Sequence, residues 1–338
     1  MVSPDVRQRG FSLIEVLVAA AILMALAAAA VGLARAAQSA SFAVGDMTDI
    51  QQRFRVAADL IQRDVSLAGA GTDGGPLMRF LPPLRPAAGI GTDSDVTFAA
   101  DRMTVLYVPD SPADAELASA VPATLSTVPL AGPACARDPS CGFAPGMQTL
   151  VYDAQGPGFG YDVFFVADAT GGVLTRTSGT FTRVYSPPAH ASEVVQHTYY
   201  VDVPASGAPR LMRGDGRSAF PVVDGVQALS FRYFADPDPA AVSPAGPPGG
   251  TCIYAPGPPR APLLSPLGGA SLSELTGAEL TDGPFCGIAP NRFDADLLRI
   301  RRVRVSLRVD APAGSAGRQP PPMELSFDVT PPNLSTWR

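Results

Sequence analysis

The first 34 residues divide into a short polar leader and a long apolar run. The leader, residues 1–10, carries Arg7 and Arg9, whereas between residues 11 and 34 the only charged side chain is Glu15. A helix of about 24 residues, rising 1.5 Å per residue, is long enough to cross a hydrocarbon core of about 30 Å. The pattern therefore predicts a transmembrane helix over residues 11–34.

The helical pattern continues beyond the apolar run but becomes one-faced. Between residues 35 and 70, apolar side chains recur near helical spacing at Ile50, Phe54, Ala57, Ile61, Val65 and Ala68. Gly69 and Gly71 then end the pattern. A single helix from Phe11 to Ala68 would be roughly 87 Å long. We expect its amphipathic second half, residues 35–70, to lie against a folded head.

From residue 71 to residue 338 the pattern changes to short strands between Pro/Gly-rich turns. β-Branched and aromatic residues concentrate in Val96–Val108, Thr149–Tyr152, Tyr161–Val166, Phe181–Tyr185, Val194–Val203, Val222–Phe234, Leu298–Val309 and Glu324–Val329. The sequence thus predicts an α+β fold, in which a long amino-terminal helix packs on a β-rich globular head.

The strand at 300–309 alternates between apolar residues and arginines. Period-two alternation places one face in a core and the other in water. We interpret the arginine face as a solvated sheet surface, with a binding patch as the alternative.

Two segments are unusually rich in proline with alanine or glycine, at 109–133 and 236–266. Such composition is typical of surface loops with little regular structure. Asp236 and Asp238 offer carboxylates that suit calcium, but the ligand spacing of a calcium loop is missing. We therefore expect both segments to be inserts, and we expect no cofactor.

Charge and basic-residue usage bear on partners and topology. The formal net charge is −6 and all 25 basic residues are arginine. A general nucleic-acid binder would show a clustered basic face, so no nucleic-acid partner is expected. Arg7 and Arg9 predict a cytoplasmic amino terminus by the positive-inside rule, which leaves the head outside the inner membrane.

Four cysteines suit an oxidising periplasm. Cys135 and Cys141 flank a short loop, and Cys252 and Cys286 flank a long one. We favour these local pairings among the three possible connectivities. A zinc site is the alternative, and it is disfavoured because the chain has only two histidines and no Cys-x-x-Cys.

An enzymatic head is the main alternative to a structural or binding role. The chain has no Gly-x-Ser-x-Gly elbow, phosphate-binding loop or metal-binding spacing. His190 follows Pro-Pro-Ala and is expected in a loop, and His197 lies in a strand pattern typical of a hydrogen-bonded structural histidine. We expect no catalytic site.

The junction Gly10–Phe11 precedes the apolar run, so cleavage there would keep the helix in the mature chain. With the basic leader and Glu15 at a fixed offset, it resembles the prepilin leader of type IV pilins and type II secretion pseudopilins. The resemblance implies that a prepilin peptidase/methyltransferase cuts after Gly10 and methylates Phe11. It also implies that Glu15 recruits the subunit to a growing fibre.

Two other interpretations of the same segment stay open. In one, the segment is a plain signal anchor whose Glu15 reaches the membrane interface. In the other, it is a conventional signal peptide cleaved between residues 27 and 37. The first residue of the mature chain distinguishes the three.

Glu15 also has a physical argument of its own. A carboxylate at the centre of a membrane helix costs roughly 2.5–3.5 kcal/mol, and such charges are usually paired. The new ammonium group of Phe11 in a neighbouring subunit lies near the same helix end. We therefore expect the pair to fix the register between helices in a fibre.

Several head segments are similar to PilW-like minor pilins and J-type minor pseudopilins. They are Leu60–Gly69, His197–Val201, Leu211–Arg213, Val223–Tyr233, Val303–Leu307 and Pro332–Leu334. The resemblance implies a non-catalytic minor pilin that primes or caps a type IV pilus. A minor pseudopilin of a type II secretion system is the alternative within the family. A membrane-anchored periplasmic enzyme or adhesin is the alternative with a different kind of function. Major and minor pilins would be its partners, first in the inner membrane and then in the fibre.

Overall fold

The structure is a computed structural model that divides into two compact units, with the boundary at Gln52–Arg53. It describes residues 12–72, 77, 81–87, 98–153, 160–235, 242–244, 252–254, 272–283, 285–286, 291–309 and 322–335. The amino-terminal unit contains most of a long helix, and the head unit contains the end of that helix with all the strands. The predicted α+β fold is confirmed.

Helix α1, Leu13–Ser66, is continuous across the apolar and amphipathic segments. Its sequence is rich in alanine and leucine, which are strong helix formers, and contains no proline. Beyond its end, Gly69 and Gly71 adopt φ values of 74° and 70°. A Cβ atom on Gly71 would meet the carbonyl oxygen of Val108 at 2.3 Å, so only glycine permits this close approach.

The remaining elements form the head, together with a 3-10 turn at Ala295–Arg299. The strands are β1 Leu84–Arg85, β2 Met103–Tyr107, β3 Asp114–Leu117, β4 Thr127–Ala131, β5 Gln148–Asp153, β6 Gly160–Thr170, β7 Val173–Arg176, β8 His190–Glu193, β9 Val195–Asp202, β10 Arg210–Gly214, β11 Ala219–Asp224, β12 Val226–Ala235, β13 Val242–Pro244, β14 Cys252–Tyr254, β15 Ser273–Leu275, β16 Phe285–Cys286, β17 Phe293–Asp294, β18 Ile300–Val309 and β19 Met323–Val329. The two short helices are α2 Pro133–Arg137 and α3 Pro332–Ser335.

A five-stranded antiparallel sheet, in the order β1-β2-β9-β10-β11, receives the last turns of α1. Along one side of this part of the helix, Phe54, Ala57, Ile61, Asp64 and Val65 are buried, as is Ala68 just beyond its end. Arg53 Nη1 donates a hydrogen bond to the carbonyl oxygen of Asp224 at the end of β11. The predicted apolar stripe therefore packs on the head.

A second sheet has the order β15-β12-β18-β19. Val303, Val305 and Leu307 of β18 are buried, as the period-two alternation predicts. On the opposite face, Arg304 makes a bidentate contact with Asp328 of the neighbouring strand. Arg302 of the same strand also lies 3.7 Å from Asp328, so both arginines are partly exposed and paired with the same carboxylate of β19.

The largest departure from the sequence prediction is a closed barrel of six strands, β3-β4-β7-β6-β5-β8. The prediction that 109–133 is a loop with little regular structure is wrong, because β3 and β4 lie within it. Alternate residues such as Ala115, Leu117 and Val128 enter the barrel core. The low strand propensity of alanine and proline conceals this alternation in the sequence.

Two further local predictions are wrong. His190 begins β8 instead of lying in a loop. Residues 181–185 form no strand; they contribute Phe181 and Tyr185 to the barrel core, and Tyr185 pairs only through an isolated bridge with Val121.

Cysteine pairing follows the local scheme where it is described. Cys135 and Cys141 form a disulfide beside the barrel, and Cys286 is also disulfide-bonded. The side chain of Cys252 lies outside the described residues. Within 236–266 only the backbone of β13 and β14 is described, and the two strands pair as an antiparallel ribbon. Asp236 and Asp238 lie outside the described residues.

Candidate functional site

The apolar part of α1 presents its side chains to the surroundings along its whole length. Residues Leu13–Gln38 have a mean hydropathy of 2.7, and none of this apolar window is buried. Leu13, Leu23 and Leu33 have 81%, 67% and 73% of their surface exposed. Soluble monomers rarely expose such a continuous apolar surface. By length and composition the segment can cross a membrane, or pack against other helices.

Glu15 lies in the first turn of α1 and is bonded locally. Its Oε2 accepts a hydrogen bond from the backbone N–H of Ser12 at 2.9 Å. Ser12 is the residue before the helix, so this contact is the glutamate half of a capping box. A carboxylate here also interacts favourably with the positive end of the helix dipole. Gly10 and Phe11, the predicted cleavage and methylation residues, lie outside the described residues.

The capping arrangement has a sequence signal that the prediction did not use. Ser12-x-x-Glu15 matches the Ser-x-x-Glu pattern of a helix start. Glu15 also shares a shallow hollow on the helix surface with Ile14, Val18, Ala19 and Ile22. The carboxylate is therefore held at the helix start beside an apolar face.

Comparison with known families identifies this segment. A family model described as the prokaryotic N-terminal methylation motif matches residues 6–31. The amino terminus carries the prepilin-type motif found in type IV pilin-like proteins. The match spans the Gly10–Phe11 junction, Glu15 and most of the apolar run, which implies processing by a prepilin peptidase and assembly with other pilins. No curated protein and no solved structure matches the chain.

The end of helix α1 is attached to the head through Asp64. Its Oδ2 accepts hydrogen bonds from the Tyr199 hydroxyl at 2.6 Å and from Arg213 Nε at 2.7 Å, and Oδ1 accepts from Arg213 Nη2 at 3.2 Å. Burial lowers the pKa of Arg213, but the hydrogen bond and charge of Asp64 outweigh it and raise the pKa above its usual value. The sequence prediction missed Asp64.

His197 lies at the same junction, on β9. Its Nε2 is 4.0 Å from Asp64 Oδ2, and its ring lies 6.0 Å from that of Tyr107. The prediction that His197 lies in a strand is confirmed. The prediction of a hydrogen-bonded imidazole is wrong for Nδ1, which is buried without a hydrogen-bond partner among the described residues. Burial lowers the pKa of His197, and this effect outweighs the negative charge of Asp64, which acts to raise it.

The barrel brings together a serine, a histidine and an aspartate on one outer face. His190 stacks on Tyr152 with 5.8 Å between ring centroids, and its Nδ1 is 3.9 Å from Asp114 Oδ1. Ser192 lies two residues along β8. Among the described residues, no hydrogen bond joins Ser192 to His190.

Metal chemistry finds no support in the described part of the chain. There, no group of three or more His, Cys, Asp or Glu side chains is placed to hold an ion.

Proposed function

We propose that this protein is a minor pilin, a non-catalytic structural subunit that primes or caps a type IV pilus through its amino-terminal helix. The observation that carries the proposal is the methylation motif at 6–31 at the start of an unbroken helix. The span Leu13–Gln38 of this helix is apolar and unburied, and the end of the helix is built into the head. Such a helix serves as a membrane anchor before assembly and as a packing element after it.

The size of the head supports a low-copy position. Helices that pack in a fibre core lie about 8–10 Å apart. A head unit of residues 53–310 and 322–338, with a six-stranded barrel and sheets of five and four strands, is difficult to repeat at that spacing. A subunit at the tip or in a priming complex avoids this steric conflict.

A minor pseudopilin of a type II secretion system is the second candidate, because the same motif and helix serve both assemblies. Deletion of the protein distinguishes them. Loss of surface fibres or twitching with normal release of secreted enzymes supports the pilus, and the reverse result supports the pseudopilus.

The proposed topology places the leader in the cytoplasm and the head in the periplasm. The two positive charges of the leader favour this orientation. The Cys135–Cys141 disulfide fits an oxidising compartment. After cleavage, the subunit would leave the inner membrane and enter the fibre with other pilins.

Glu15 offers the sharpest test of assembly through the helix. The Glu15 carboxylate accepts a hydrogen bond from the Ser12 N–H, so Glu15→Ala removes both this hydrogen bond and the charge. Glu15→Gln keeps an acceptor oxygen and removes only the charge. If the carboxylate pairs with the ammonium of Phe11 in a neighbouring subunit, both variants insert into the membrane but enter fibres roughly tenfold less. Sheared fibre and membrane fractions, quantified by immunoblot, measure this.

The two variants have different diagnostic outcomes. Normal incorporation of Glu15→Gln with poor incorporation of Glu15→Ala would reduce Glu15 to a helix cap. Normal incorporation of both would refute its role in recruitment. Ser12→Ala serves as a control, because the Ser12 backbone N–H and the Glu15 charge both remain.

A further inference from the structure

The four-stranded sheet of the head ends at β19, whose outer edge pairs with no other described strand. Unpaired strand edges invite pairing with another chain, and proteins usually protect them by short strands, proline or bulges. The other described edges of the two open sheets follow this rule. β1 has two residues, β15 has three, and β11 contains Pro221 and pairs with a shift in register. By contrast, β19 has seven residues in regular register and no proline, so its outer edge is long and unprotected.

The hydrogen-bond pattern determines which backbone groups of β19 face outward. Phe231 of β12 donates its N–H to the carbonyl oxygen of Ala100 at 2.8 Å, and so directs it away from β18. Val305, opposite Phe231 on β18, therefore directs its own N–H and C=O towards Phe327 of β19. Because this direction alternates along an antiparallel strand, Phe327 and every second residue bond to β18, and the residues between them face outward.

The outward-facing residues of β19 are Glu324, Ser326 and Asp328. Their side chains are exposed. None of their backbone N–H groups forms a hydrogen bond with a described residue. Each residue therefore offers one backbone donor and one backbone acceptor along the outer edge. Such a row of main-chain groups is what a peptide uses when it adds a strand to a sheet.

The core-facing side of β19 is apolar and incompletely covered. Met323, Leu325 and Phe327 are partly exposed, whereas their three partners on β18 have at most 1% of their surface exposed. The apolar layer of the sheet thus continues to its edge without being covered there. A further strand with apolar side chains at these positions would complete the burial of this layer.

The charges of β19 determine which strand fits its outer edge. Arg304 already binds Asp328, whereas Glu324 forms no ion pair with a described residue. Full-length antiparallel pairing of two copies of β19 would place Glu324 of one copy opposite Asp328 of the other. Like charges directly opposite each other destabilise a sheet. The acidic pattern therefore disfavours a second copy of β19 and favours a strand with arginine or lysine at these positions.

We propose that β19 pairs by β-strand addition with an extended segment of another pilin subunit, in which apolar residues alternate with arginine or lysine. This inference rests on the proposed pilin function, because that function supplies the partner. Main-chain hydrogen bonds to Glu324, Ser326 and Asp328 hold the segment in place. Its basic side chains lie opposite the two carboxylates, and its apolar side chains cover the partly exposed row on the other face.

A peptide with the sequence of β18, Ile300–Val309, is the probe for the outer edge. β18 already fits the inner side of β19, with Arg304 and Arg308 opposite its two carboxylates. Fluorescence anisotropy measures the binding of the labelled peptide to the full mature chain in non-ionic detergent. We expect one-to-one binding, and we expect a peptide with glutamate in place of every arginine to bind at least about tenfold more weakly.

Methylation of the peptide backbone tests the main-chain hydrogen bonds. In the register that matches the charges, the nitrogens of Arg304, Ser306 and Arg308 in the peptide face β19, whereas those of Val305 and Leu307 face away. Methylating the first set should weaken binding at least about tenfold, because the donors to the edge are lost. The peptide methylated on the second set is the matched control and should bind nearly as well as the unmodified peptide.

Ser326→Pro tests the edge from the side of the protein. It removes the central outward-facing donor, and the ladder to β18 remains because the Ser326 N–H takes no part in it. Ser326→Ala is the matched control, since both variants lose the hydroxyl contact with Ser306 but alanine keeps the N–H. We expect Ser326→Pro, and not Ser326→Ala, to weaken peptide binding at least about tenfold. Unchanged melting shows that each variant is folded, and the methylated peptides test the edge if Ser326→Pro does not fold.

A photo-cross-linking amino acid at position 326 tests the partner in cells. We expect mass spectrometry to identify the cross-linked peptide as an extended segment of another pilin subunit with alternating apolar and basic residues. Ser326→Pro should also reduce entry into sheared fibres while membrane insertion stays normal. Glu15→Ala should bind the β18 peptide as the unmodified chain does, so a failure of fibre assembly and a failure of the edge are separable.

Four results would overturn the proposal. Two concern the peptide: equal binding of the arginine and glutamate peptides, and equal binding by Ser326→Pro and Ser326→Ala. The third is a cross-link from position 326 to a second copy of this chain or to a protein that is not a pilin. The fourth is the absence of any cross-link in both membrane and fibre fractions.

Discussion

Asp64 is the residue that connects helix packing with head structure. Its side chain is 3% exposed and carries a charge that burial would penalise heavily without partners. Tyr199 and Arg213, on two adjacent strands of the sheet, supply three hydrogen bonds to it. The helix end is consequently held by a specific polar contact in addition to its apolar stripe.

Asp64→Ala should lower the free energy of unfolding of the head by about 3 kcal/mol. The value is at the low end for breaking a buried pair, because Arg213 keeps 31% of its side chain exposed and regains some hydration. Urea unfolding of the full chain in detergent measures the change. Asp202→Ala, which breaks the exposed Asp202–Arg210 pair on the same two strands, is the control and should cost at most about 1 kcal/mol. Equal effects of the two variants would contradict the account.

His197 gives the junction a pH dependence. Its folded pKa lies below the ordinary 6.5 because burial disfavours the charged ring. The unfolded chain therefore binds the proton more readily than the folded chain. The contribution of neutral His197 to folding stability is complete above pH 6.5, and it is lost as the pH falls from 6.5 towards the folded pKa. We expect the free energy of unfolding to fall over this window, by at most about 1.4 kcal/mol per pH unit.

The difference between the unmodified chain and His197→Gln isolates this contribution. The raised pKa values of Asp114, Asp162 and Asp294 act in the opposite direction, and they are common to both proteins. A stability difference that does not vary between pH 7 and pH 5 would show that His197 does not titrate in this way.

The amino-acid sequence could not reveal the Asp64 cluster by local pattern. Tyr199 and Arg213 lie 135 and 149 residues further along the chain. Within the helix, Asp64 simply resembles one more polar residue between apolar positions. By contrast, Ser12-x-x-Glu15 is a local signal and could have been recognised before the structure.

At the scale of elements, periodicity predicted the long helix and the strands with clean alternation. Apolar spacing near 3.6 residues places α1, and alternation of valine with arginine places β18. The barrel strands β3 and β4 were missed, because Asp-Ala-Glu-Leu and Thr-Val-Pro-Leu-Ala contain few strand-forming residues. Their pairing with distant strands, rather than their own propensity, gives them their conformation.

The Cys135–Cys141 disulfide closes a loop beside these weak strands, and α2 contacts both of them. Replacing both cysteines with serine should lower the unfolding free energy by about 2 kcal/mol in the chain-entropy model for so short a loop. Urea unfolding of the double variant under non-reducing conditions measures it and leaves the bond of Cys286 intact. No change in stability would mean that strand pairing alone holds this side of the barrel.

At the scale of the whole molecule, the chain combines an apolar helical unit with a large head. The composition and the leader predicted this division, and the head topology was beyond prediction. Barrel closure joins β3 to β8, with Asp114 opposite Ser192, across a long stretch of intervening chain. No pattern within a single strand specifies such a partner. The head is thus defined by non-local pairing and the helix by its own sequence.

The central claim is that the apolar helix survives maturation and acts both as membrane anchor and as assembly element. Intact-mass and amino-terminal sequencing of the protein purified from membranes tests it most directly. The account predicts a chain that begins at Phe11, carries one added methyl group and retains the whole of α1. A membrane-bound chain that still begins at Met1, or a soluble chain that begins between residues 27 and 37, would contradict it.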